Sequence, residues 1–106
     1  MAARTAPANV AKLARRGLEL RQKFGRGGTA VGVRRAAQLA EGKPVSDADI
    51  IAIASYFKRH SIDKSAKAHR WGDEQDPSAG FVAWLLWGGD AGEAWATRER
   101  EKLAVT

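Results

Sequence analysis

The chain contains no cysteine. That excludes disulfide frameworks, thiolate zinc sites, iron–sulfur clusters and cysteine nucleophiles. Long apolar runs are also missing. The longest, residues 81–87, falls far short of the roughly 20 residues a membrane-spanning helix needs. Histidine is scarce: His60 and His69 stand nine apart, with no metal-ligand spacing and no evident third ligand. Asp73, Glu74 and Asp76 lie close together, but their spacing is not that of a calcium loop. No Walker-type Gly-Lys-Ser/Thr loop and no nucleophile elbow occurs. No metal, cofactor or catalytic constellation is therefore expected, and the reading is non-enzymatic.

Acid is nearly absent from the first third. Residues 1–36 carry nine Lys or Arg and a single acid, Glu19, whereas residues 72–106 are net acidic. The whole chain has 18 Lys+Arg against 12 Asp+Glu, a formal charge of +6. Such asymmetry suggests an anionic partner for the basic part. The first eighteen residues have the Arg and Ala of a transit peptide, but no serine and no apolar stretch. They run into a patterned helix and are read as part of the domain.

With 106 residues, 44% of them hydrophobic, the chain suits one packed domain. Residues 1–8 are expected to form a loose N-terminal arm and residues 9–106 a single helical domain. Helical spacing of apolar residues predicts about five short helices in a compact all-α bundle, with no strand. The first spans about 10–24, capped by Asn9, with Val10, Leu13, Ala14 and Leu18 inward. Gly25-Arg26-Gly27-Gly28 ends it. The second spans about 30–41, with Thr29 as cap, Val31, Val33, Ala36, Ala37, Leu39 and Ala40 as its apolar positions, and Gly42 as stop. The third spans about 47–60 behind Ser46, with Ile50, Ile51, Ile53, Ala54 and Phe57 buried. Residues 61–76 are irregular, with a short helix capped by Ser61 or Asp63. Asp76-Pro77 opens a fourth helix over about 77–87, apolar nearly all round. Asp90 opens a fifth over about 91–104, with Ala94, Trp95 and Leu103 inward.

The basic residues of the first two helices form the candidate site. Lys12, Arg15, Arg16, Lys23, Arg26, Arg34 and Arg35 are expected to contact phosphates. Gly27 and Gly28, ahead of a helix N-terminus, are expected to offer backbone N–H groups to the same ligand. Such contacts position a nucleic acid without reading its sequence. The alternative for the loop is a plain helix connector. The third helix is a poor major-groove reader, because Asp47 and Asp49 in its first turn repel phosphates. Trp71, Trp84 and Trp87 are candidates for a protein interface. Trp84 and Trp87 suit a core equally well, and Trp71 is the best candidate for an exposed ring.

Three stretches taken together resemble a known pattern. They are Arg16-Gly17-Leu18 with Gly27-Gly28-Thr29-Ala30-Val31-Gly32-Val33-Arg34-Arg35-Ala36, then Ser55-Tyr56-Phe57-Lys58-Arg59-His60 with Asp63-Lys64, and Pro77 to Gly92, ending in Trp87-Gly88-Gly89-Asp90-Ala91-Gly92. In this order they resemble a small domain of tailed-bacteriophage proteins. It occurs alone or attached to head-maturation protease or head-morphogenesis proteins. The resemblance implies a phage setting, in the virion or the host cytoplasm, and carries no activity or catalytic residue. The sequence-level expectation is a basic, non-enzymatic protein binding nucleic acid, DNA first, without sequence preference. A structural or assembly protein that binds a phage head or host protein is the second reading. No membrane partner is expected.

Overall fold

A computed structural model describes residues 4–65 and 69–105. Among these, five α-helices and one 3₁₀ segment form: α1 (Ala8–Phe24), α2 (Ala30–Ala40), α3 (Asp47–His60), the 3₁₀ segment (Ser61–Ser65), α4 (Ala79–Leu86) and α5 (Gly89–Val105). No strand occurs among the described residues, so the chain is all-α as its periodicity implied.

Local chemistry sets most boundaries. Thr29 caps α2 by accepting from the Gly32 N–H. Ser46 and Asp49 close a reciprocal capping box on α3. Gly25 ends α1 in the left-handed region. Three caps differ from expectation. Helix α5 begins at Gly89, so Asp90, read as its cap, is instead its second residue and accepts from the Trp84 indole N–H. The α1 cap is Pro7, and Asn9 turns its Oδ1 to the neighbouring Val10 N–H at 2.9 Å. The α4 cap is Ser78, whose hydroxyl accepts from the Phe81 N–H at 3.0 Å. Asp76 is held elsewhere by Arg26 and His69, so the helix starts two residues later than the Asp-Pro signal suggested.

The central element is α4, buried along most of its length. It packs against α1, which also packs on α2, while α3 packs on α5. Phe57, Trp84, Leu86, Ile50 and Ile53 fill the space between them. The Cα radius of gyration is 13.4 Å, matching the ~13 Å expected of one body this size. Three apolar positions expected inside are exposed: Val31 (50%), Ile51 (46%) and Ala94. On α5 it is Trp95 and Ala96 that face the core. The turn between α4 and α5 is tight. Gly88 (φ 113°) and Gly89 (φ 65°) take backbone angles that favour glycine, and a Cβ at Gly92 would lie 2.7 Å from the Trp87 carbonyl oxygen. The Trp-Gly-Gly-Asp-Ala-Gly block is thus the corner on which the two helices fold together.

The N-terminal arm is tied down from Arg4 onward, contrary to a loose segment over 1–8; residues 1–3 lie outside the described residues. The Arg4 guanidinium meets Asp47 at 2.9 Å, Glu99 at 3.1 Å and the Val45 carbonyl at 3.1 Å. The Arg4 carbonyl accepts from the Val45 N–H at 2.8 Å. One side chain so links the arm to the starts of α3 and the middle of α5. A hydrogen bond from Lys102, with a further one from Arg4, holds the Glu99 carboxyl below its usual range against the opposing effect of burial.

Asp49 is a second junction. Burial works against its charge. Hydrogen bonds from Arg35, the Ser46 N–H and Gln38, with the Arg35 charge, outweigh it and hold the carboxyl well below the usual carboxylate range. Its folded pKa lies under the unfolded value of about 3.9. The stabilisation is therefore complete above that value and is lost as the pH falls through the folded one. Asp49→Asn should be less stable than the parent by about 2 kcal/mol near neutrality, from the weakened cap and the lost charge-assisted bonds. The gap in thermal midpoint between the two should narrow as the pH falls from about 5 to about 2. A gap that is constant over that range would show that Asp49 does not carry the acid sensitivity.

Candidate nucleic-acid interface

Charge that is segregated along the chain is partly reunited in space. Arg16 on α1 is paired with Glu74 and Glu19. Arg26 meets Asp76 at 3.2 Å and the Pro77 carbonyl at 2.9 Å. Arg35 on α2 meets Asp49 and Gln38 at 2.9 and 2.7 Å, with its guanidinium over the Trp87 ring. These three arginines, expected to contact phosphates, are instead engaged with acids from distant parts of the chain. The acidic stretch 73–76 serves as the counter-charge of the basic first third. No group of three or more candidate ligands that could hold a metal ion occurs among the described residues.

The glycine loop is also built for packing. A Cβ on Gly27 would lie 2.5 Å from the Val82 Cβ and 2.9 Å from the Ala79 carbonyl oxygen. One on Gly28 would lie 2.4 Å from the Leu86 Cδ1. Both have positive φ, 98° and 76°. The loop therefore seats against α4, and Arg21 reinforces it by donating to the Gly27 carbonyl at 3.0 Å. A contact with α4 accounts for both glycines without a phosphate.

The tryptophans line the interior. Trp84 and Trp87 are buried. Trp84 stands edge-on to Phe57 and Trp71 and donates its Nε1–H to Asp90 at 2.9 Å. Trp71 is half-buried, with its ring edge-on to Phe81 at 5.2 Å. It is not the free ring its position beside His69 and Arg70 suggested. Each of the three rings is packed against other aromatic side chains.

Of the side chains expected to contact phosphates, four on the outer surface of α1 and α2 remain free. Lys12, Arg15, Lys23 and Arg34 are all exposed, and none has an acidic partner among the described residues. Arg15 donates to the Ala40 carbonyl at the C-terminus of α2 at 3.0 Å, which pins α1 to α2 and keeps a positive charge on the surface. Lys23 lies beside the Phe24 ring. Helices α2 and α3 are joined by the contacts of Arg35 and Gln38 with Asp49 and by shared core side chains, not by close backbone approach. Helical spacing places Lys12, Arg16 and Lys23 on one face of α1, so spacing alone does not separate Arg16, which Glu74 pairs, from its free neighbours. No helix among the described residues is long and apolar enough to cross a membrane.

Compared with known proteins, the chain matches no family model, no curated protein and no solved structure.

Proposed function

We propose that the protein is a small, non-enzymatic basic module that binds nucleic acid, DNA in the first place, through phosphate contacts from the outer surface of α1 and α2. The observation that carries this reading is the set Lys12, Arg15, Lys23 and Arg34, exposed and without acidic partners. Their field is not cancelled locally, as that of Arg16, Arg26 and Arg35 is. Contacts of this kind fix position on a backbone and carry no sequence information. The likeness of residues 27–36 and 77–92 to a tailed-phage domain supports a phage setting, in the virion or the host cytoplasm, where DNA is the abundant polyanion.

About four phosphate contacts give a slope of log K against log salt near −3 to −4 on duplex DNA. Anisotropy titrations at several salt concentrations measure it. Trp emission should stay constant, because Trp84 and Trp87 are buried. A salt-insensitive complex, or strong Trp quenching by single strands, would contradict the reading.

A further inference from the structure

Helices α2 and α3 are bridged by side chains and leave a cleft between them. At its open end a groove of about 470 Å³ is lined by the cap Thr29 and Val31 of α2, Tyr56, Arg59 and His60 of α3, and Ala83 and Trp87 on the α4 side. At the other end, Arg35 and Gln38 reach across to Asp49. Tyr56 stacks on Trp87 at 4.4 Å and on His60 at 4.5 Å, so these rings form the floor.

Among the described residues, two buried side-chain polar atoms lack a hydrogen-bond partner, the Tyr56 hydroxyl and Arg35 Nε. Tyr56 lines the groove, whereas Arg35 lies outside it, at the bridged end of the cleft. Tyr56 is only 5% exposed. Burial raises its pKa, with Asp63 pushing further up and Arg59 pulling down; both of these residues line the groove. An orphaned buried hydroxyl costs about 1–3 kcal/mol, so it marks a place where a partner is due. The groove also holds the N-terminus of α2, whose positive end favours an anion. Arg59 is exposed there and has no ion pair among the described residues. Asp63 is the opposing charge, and it is engaged by His60 at 3.1 Å.

We infer that this groove binds a small organic anion: one phosphate or carboxylate group on a compact apolar body. The anionic group takes the α2 N-terminus and Arg59, an oxygen of the ligand satisfies the Tyr56 hydroxyl, and the apolar body lies against Val31 and Ala83. The hydroxyl sits just under the lining, so binding includes a rearrangement of side chains at the rim, where Arg59 stands. The inference is independent of DNA binding, since it uses none of Lys12, Arg15, Lys23 or Arg34.

The test uses phenyl phosphate, phenylacetate and neutral benzyl alcohol as probes, with amide NMR shifts as readout. Saturable one-to-one binding of either anion is expected, with shifts centred on residues 28–31 and the Trp87 indole, and none for benzyl alcohol. A preference for phenyl phosphate assigns a phosphate, and equal binding assigns anionic charge alone. Arg59→Ala should weaken binding by about tenfold or more, as for loss of a charge-assisted contact. Tyr56→Phe should weaken it several-fold while leaving the unliganded protein at least as stable, because it deletes an unsatisfied group. Absence of saturable binding at concentrations well above about 1 mM overturns the inference. So do shifts confined to the outer surface of α1, or equal affinity in both variants.

Discussion

Replacing Trp84 with alanine is expected to cost about 3–5 kcal/mol, the usual range for deleting a large core aromatic. Trp84 is 1% exposed and stands edge-on to Phe57 at 4.6 Å and to Trp71 at 5.6 Å. Such pairs add to the burial of area itself. Its indole N–H also fastens Asp90, the second residue of α5, and Lys64 lies 4.5 Å from its ring centre while reaching the same Asp90 at 3.3 Å. One side chain thereby joins α3, α4, α5 and the 3₁₀ segment. A domain of this size has only about 5–15 kcal/mol in total, so the variant should be largely unfolded at modest urea. Urea denaturation followed by circular dichroism measures the shift. A loss below about 1 kcal/mol would mean that the site collapses around the cavity far better than its contacts imply.

Gly17→Val should be comparably damaging, and for a different reason. Gly17 is where α1 and α4 approach backbone to backbone. A Cβ there would lie 2.8 Å from the Leu86 nitrogen and 3.0 Å from the Leu85 carbonyl carbon. These are backbone atoms at the buried end of α4, held by the tight turn into α5, so the helices must separate. Overpacking costs about 1–3 kcal/mol and occasionally more, and here the branched side chain adds two methyl groups to the conflict. Gly17→Ala separates the mechanisms. In an exposed helix that change stabilises by about 1 kcal/mol; at Gly17 it should destabilise. A stabilised alanine variant would show that α1 and α4 are not in such close contact.

Gly17 also shows what could be seen in the sequence and what could not. A glycine in the middle of a predicted helix reads as a weak helix position, and only a partner backbone reveals its purpose. Thr29, Ser46 and Gly25 were legible because capping is a local reaction between neighbours in sequence. Asp76 misled for the same reason: the Asp-Pro signal is local, but Arg26, fifty residues away, competes for the carboxylate. The basic surface was half legible. Helical spacing places Lys12, Arg15 and Lys23 outward, yet nothing local tells that Arg16, Arg26 and Arg35 are neutralised by Glu74, Asp76 and Asp49. Gly27 and Gly28 read as a phosphate cradle because both uses need positive φ and a close approach, and only the contact with Val82 and Leu86 decides between them. Arg59 and Tyr56 were invisible as a pair, since their groove is completed by α2 and α4.

The central claim is that the unpaired cations of α1 and α2, and not the paired arginines, face the nucleic acid. The most direct measurement is the salt slope of duplex binding for two variants beside the parent. In one, Lys12, Arg15, Lys23 and Arg34 are all alanine; in the other, Arg16 and Arg26 are. Each lost phosphate contact lowers the slope by about one, so the first variant should bind with a slope near zero and the second should stay within about one of the parent. A first variant with the parental slope, or a second that alone abolishes binding, would contradict the account.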